Sequence, residues 1–165
     1  MGRLWVFAAC MVAAIIFVLS TAGNLPDPVA IHFAVNGAPD GWVERSIYRV
    51  ALAVVLTMVP MLMIWLMAGL PRLIDGRGMI PNSNYWFAPE RRQSTEEFLL
   101  AHAIWLGMLT MAVIVGFHIT ILRAHATSPS ALNVDQLKEM LLIFLIALAW
   151  WFIVLVRRFQ LIGPK

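Results

Sequence analysis

Four stretches of the chain, residues 4–22, 50–70, 98–122 and 140–156, contain no Asp, Glu, Lys or Arg, and polar connections separate them. Each approaches or exceeds the roughly 20 apolar residues needed to cross a hydrocarbon core about 30 Å thick. Backbone amides in lipid find no water, so each stretch must bond to itself and is predicted to be an α-helix. The pattern therefore predicts an all-α membrane protein, a bundle of four transmembrane helices with a short ordered outer loop after helix one. All 165 residues fall into a single integral membrane domain. The polar connections are an outer loop over 23–49, a cytoplasmic loop over 71–97 and a second outer connection over 123–139.

The first of these connections has its own pattern. Val29, Ile31, Phe33 and Val35 alternate with smaller or polar residues, the signature of a short strand with one buried face. Asn36-Gly37 reads as a tight turn, and Pro39-Asp40-Gly41 as another. Trp42 then leads back to the membrane surface.

Composition agrees with the lipid assignment. Hydrophobic residues make up 61% and charged residues 13% of the chain, against about 45–50% and 25% in soluble domains. The pI near 9.6 comes without a basic run long enough for nucleic acid, so it is read as an excess of cytoplasmic Lys and Arg. One side would hold Arg3, Arg72, Arg77, Arg91, Arg92, Arg157, Arg158 and Lys165, the other Arg45, Arg49, Arg123 and Lys138. Lys and Arg are in excess on the cytoplasmic side, which places both termini inside and the protein in the cell (inner) membrane as a multi-pass chain. Arg3, the apolar run and Ser20-Thr21-Ala22 also fit a signal peptide; the length of the run and the three spans after it favour a retained helix.

Within the spans, Pro60 predicts a kink. Trp5, Trp65, Trp105, Trp150 and Trp151 approximate an inner aromatic belt. Ser94-Thr95-Glu96-Glu97 fits a capping box ahead of span three. No small-xxx-small run argues for a specific dimer. Thioethers (Met58, Met61, Met63, Met67, Met108, Met111) with Cys10 and Met11 make a copper(I) site conceivable, although Met commonly fills gaps between helices. His102 and His118 lie about 160° apart on span three, whereas His118 and His125 share a face if the helix continues. No Asp or Glu lies inside a span, which counts against proton- or sodium-coupled transport.

Two blocks carry a family resemblance. The first comprises Leu25, Pro26, Asp27, His32, Phe33, Gly37, Asp40, Gly41 and Trp42, just after the first span. The second runs Ile80-Pro81-Asn82, then Asn84-Tyr85-Trp86-Phe87-Ala88-Pro89-Glu90-Arg91-Arg92, then Thr95. Together they resemble the family of domain of unknown function 1648, which includes SdpI-like membrane immunity proteins. The resemblance implies a small integral membrane protein and names no reaction.

Candidate chemistry follows from these blocks. Asp27, His32, Asp40, Trp42 and His118 are the candidates for binding a ligand or partner at the outer end. Imidazole and carboxylate together suit a divalent ion, with His32, His118 and His125 as weak metal candidates. The alternative is that the aspartates brace turns. Tyr85, Trp86, Glu90, Arg91 and Arg92 form a segment that could lie on anionic lipid or dock a partner. No nucleophile motif is present, so the reading is a non-enzymatic protein that senses a partner protein or peptide through its outer loop. No cofactor is expected. A conduit for a metal ion or small molecule is the alternative.

Overall fold

The computed structural model describes residues 2–160; Lys165, counted above for orientation, lies outside the described residues. The elements run α1 (Gly2–Ala22), β1 (Val29–Phe33), β2 (Pro39–Val43), α2 (Arg45–Ile64), a π turn (Trp65–Gly69), α3 (Leu70–Leu73), α4 (Ser83–Trp86), α5 (Pro89–His125) and α6 (Val134–Gln160). The protein is mainly α, and four helical segments are long and apolar enough to span a membrane. Each outruns its charge-free stretch, because a helix carries charged side chains freely once it leaves the hydrocarbon. The extreme case is α5, whose 37 residues extend about 55 Å at 1.5 Å per residue.

That helix is the hub. It packs against α1, α2 and α6, and α1 also packs against α2. Of its most apolar window 39% is buried, against 6% for α6, so α6 is a peripheral helix held by α5. Lipid tails are as apolar as leucine, so helices associate here through close packing and hydrogen bonds. Phe7 and Val18 of α1, Leu56 of α2, and Ile104, Met111 and Ile114 of α5 form the central contact. Small residues permit it. Ala103 is fully buried, and a Cβ on Gly107 would lie 2.9 Å from the Phe7 ring and 3.3 Å from Ile64. Ala103 and Gly107 are thus a small-xxx-small pair, which the sequence reading missed, and it serves packing within the chain.

Two polar clips act inside the hydrocarbon. His102 Nε2–H donates to the Trp151 carbonyl, and Trp151 Nε1–H donates to the His102 carbonyl, both at 2.9 Å. The His102 ring stacks between Phe98 and Trp151. Trp151 is therefore a buried tie between α5 and α6 rather than part of an aromatic belt. Trp5, Trp65, Trp105 and Trp150 remain exposed on the helix surfaces. The second clip, centred on His118, belongs to the site described below.

Two features of the helices differ from expectation. α5 begins at Pro89, with Ala88 before it and Glu90 in its first turn; proline fits there because the first amides have no helical partner. Ser94 and Thr95 are consequently interior residues and not caps. Ser94 donates to the Arg91 carbonyl and Thr95 to that of Trp86. In span two, α2 runs through the buried Pro60, and an unexpected π turn follows at Trp65–Gly69. The Leu70 amide bonds to the Trp65 carbonyl, five residues back. Widening there relieves the crowding that the ring of Pro71 would impose on the preceding turn.

The hairpin β1–β2 and the connection 126–133 meet at one end of the bundle, where the Leu132 amide donates to the Gly37 carbonyl at 2.9 Å. Residues 74–88 lie at the other end. The close approach at Gly107 makes a direct prediction. Gly107→Ala is expected to destabilise the bundle by about 1–3 kcal/mol, read as a lower denaturation midpoint in detergent. Gly2→Ala, whose Cβ meets nothing within 4 Å, should leave it unchanged.

Candidate functional site

The hairpin is built by an irregular antiparallel pairing: Val29 opposite Val43, Ala30 opposite Trp42, His32 opposite Gly41 and Phe33 opposite Pro39, with shifts on both sides of His32. Pro39-Asp40-Gly41 is strand, not a second turn. The shifts also break the expected alternation. Val29 and Ala30, adjacent in sequence, are both buried, while Ile31 and Val35 are exposed. An extra residue in one strand re-aims the side chains that follow it. Gly41 is required opposite His32, since a Cβ there would sit 2.9 Å from the His32 Cβ. At the tip, Asn36 Oδ1 accepts the Ala38 amide at 3.0 Å, a side-chain turn that closes the loop.

Four contacts fasten the hairpin to the helix ends. Asp27 Oδ1 accepts the backbone amide of Arg45 at 3.1 Å. The first amides of a helix lack internal partners, and Glu44, the residue preceding α2, provides no side-chain bond. Asp27 thus caps α2 from 18 residues away. Arg45 replies by donating Nη1 to the carbonyls of Gly23 and Leu25, at 3.2 and 2.8 Å. The Ala30 amide donates to His125 Nε2 at 3.1 Å, while His125 Nδ1–H donates to Ile121 O at 2.9 Å. Both nitrogens of His125 are therefore occupied in a neutral ring. Beneath, Ala22, Leu25 and Val29 pack with Tyr48, Ile121 and Leu122.

His118 lies under this platform, 1% exposed. Its Nε2 is 2.7 Å from Thr21 Oγ1, and its Nδ1 is 2.7 Å from the Tyr48 hydroxyl. Bond accounting assigns the protons. Thr21 has one hydroxyl hydrogen, and Phe17 O, 2.6 Å away, can only accept it. Thr21 Oγ1 must then accept from His118 Nε2–H, and His118 Nδ1 must accept from Tyr48 O–H. One directed chain runs Tyr48, His118, Thr21, Phe17 and joins α2, α5 and α1. Phe17 also meets the imidazole edge-on. A fully satisfied buried network of this kind fixes geometry, whereas a half-satisfied one would be costly.

The structure thus separates the sequence candidates. His32 and Asp40 come together, Nδ1 to Oδ1, on the exposed face of the hairpin, and Trp42 is exposed nearby in the same strand. Asp27, His118 and His125 lie in the anchorage below. Among the described residues no three His, Cys, Asp or Glu side chains gather as a metal would need. Of the thioethers, Met58 and Met61 are exposed on α2, while Met111 lies in the central cluster with Cys10, Met11 and Met108 packed against it. Thr21, Arg45 and Tyr48 carry the anchorage and were not singled out from the sequence. A signal existed in the position of Tyr48, a hydroxyl at the edge of an otherwise apolar span.

At the opposite end the second sequence block turns inward. Trp86 and Phe87 are buried against Leu99 and Phe159, because α4 folds back and Thr95 holds its last carbonyl. Their rings are not on a membrane surface; Tyr85 alone of the three is exposed, with the Arg91 guanidinium 4.0 Å above its ring. Arg92 donates to Asp75 at 2.8 Å and Glu96 at 2.9 Å, and Arg72 reaches Glu96 at 3.2 Å. Glu90 is exposed in the first turn of α5. This block braces the connection between α3 and α5.

No curated protein and no solved structure matches the chain. The second block, at residues 80–95, lies outside the stretch that a family model matches. That stretch, residues 7–64, covers α1 from Phe7 onward, the anchored hairpin and α2, and it is the chain's match to the family described as Domain of unknown function (DUF1648).

Proposed function

We propose that this protein is a non-enzymatic, multi-pass protein of the cell (inner) membrane that recognises a partner protein or peptide through its hairpin. Both termini face the cytoplasm in this reading and the hairpin faces outward, in keeping with the eight-to-four distribution of Lys and Arg. The observation that carries the proposal is a rigid mount beneath an adhesive surface. Val35 is 96%, Trp42 54% and Ile31 47% exposed, although the backbone bearing them is tied to three helix ends. Aromatic anchors on pre-ordered backbone are what a recognition surface requires. The two sequence blocks resemble the domain of unknown function 1648 family, which includes SdpI-like proteins, and that resemblance is in keeping with this reading. The recognition proposed uses no cofactor.

A photo-crosslinking residue at Val35 in native membranes is expected to give a discrete adduct. Trp42→Ala, His32→Ala and Asp40→Ala should each lower its yield at least about tenfold, the scale of one hot-spot side chain, while the protein accumulates normally. If the adduct survives all three, or if the variants fail to accumulate, the hairpin is not a recognition surface. Asp27→Ala should behave differently, lowering the denaturation midpoint by the equivalent of about 1–2 kcal/mol because it uncaps α2. Topology is checked separately: a cysteine at Ala38 should react with an impermeant reagent from outside, and one at Ser83 should not.

A further inference from the structure

A groove runs between α1 and α5 at the end opposite the hairpin. Two adjoining cavities of about 640 and 470 Å³ make it up, and they share Gly2, Arg3, Ala101 and Ile104 as walls. The deeper cavity is apolar, bounded by Phe7, Trp105 and Met108. The shallower one brings in Glu97. A third cavity of about 530 Å³, on the α2 side, shares Glu97 and Leu100 and carries Arg72 and Gln93.

The charges at the mouth are unequally used. Arg72, Asp75, Arg92 and Glu96 are committed to one another in ion pairs. Glu97 accepts a hydrogen bond from Gln93 Nε2 at 2.9 Å, and among the described residues neither Glu97 nor Arg3 has an ion-pair partner. They line the same cavity yet do not pair with each other. Their depth is defined by the sequence. Arg3 immediately precedes the charge-free stretch 4–22, and Glu97 immediately precedes 98–122. Both therefore stand at the level where hydrocarbon gives way to headgroups, with an apolar trough beneath them. A ligand that fits has an acyl chain for the trough, an anionic phosphate for Arg3 and a hydrogen-donating cation for Glu97.

We propose that this groove binds a bilayer phospholipid whose headgroup bears a primary ammonium, with Glu97 receiving the ammonium and Arg3 the phosphate. A choline headgroup has the charge but no N–H to donate. A glycerol headgroup leaves the lipid net anionic beside a carboxylate. The proposal stands independently of partner recognition at the hairpin.

The test is lipid binding to the purified, delipidated full chain in detergent, by native mass spectrometry with phosphatidylethanolamine, phosphatidylcholine and phosphatidylglycerol of identical acyl chains. The wild type is expected to retain the ethanolamine lipid about tenfold more strongly than the other two, the scale of one charge-assisted hydrogen bond. Glu97→Gln should reduce that preference below about twofold. Arg3→Gln should weaken all three lipids alike, since each carries a phosphate. Equal retention of the three lipids by the wild type would overturn the proposal, as would an undiminished ethanolamine preference in Glu97→Gln. Glu97 is exposed and glutamine can keep the bond to Gln93, so loss of preference would not reflect misfolding.

Discussion

Lipid offers no hydrogen bonds, so every donor and acceptor within the spans must be satisfied by the chain itself. The helices do this for their amides. The few polar side chains in the spans show the same requirement at finer scale. Thr57 and Thr110 return their hydroxyls to carbonyls four residues back. His102 exchanges two bonds with Trp151 across α5 and α6. His118 passes through Thr21 to a carbonyl and receives from Tyr48. Because apolar helices gain little by meeting other apolar helices in lipid, these directional ties decide which faces meet.

They also divide the bundle into parts of different character. α1, α2 and α5 share a packed interior with the small residues Ala103 and Gly107 at its closest contact. α6 leans on α5 and leaves most of its apolar surface outward. At one end the hairpin is fixed by Asp27, Arg45 and His125. At the other, Trp86 and Phe87 close the connection between α3 and α5 beside the ion pairs of Asp75, Arg92 and Glu96. Sites of exposed chemistry occur where these ties stop: on the hairpin face, and in the trough between α1 and α5.

Much of this was legible beforehand. The charge-free stretches identified the four spanning helices, since the signal is solvent-driven and local. The tight turn at Asn36-Gly37 and the presence of β1 were legible for the same reason. The remainder depends on distant partners. Asp27 reads as a turn residue until the start of α2 is brought beside it. The shifts around His32, which bury Ala30 and expose Ile31, follow from Gly41 lying opposite. Ser94 and Thr95 resemble caps only when the helix is assumed to begin with the hydrocarbon; Pro89 shows that it begins earlier. Trp86 and Phe87 look like interfacial aromatics because composition does not reveal that α4 folds back on Leu99 and Phe159.

The unbroken length of α5 has a mechanical corollary. A single rod joins His125, under the hairpin, to Arg92 and Glu96 in the ion-pair cluster. Its midpoint is gripped by α1 and α2 near Gly107. Any sideways force on the hairpin tip is therefore a torque about that grip, and the far end must swing in the opposite sense or the helix must bend.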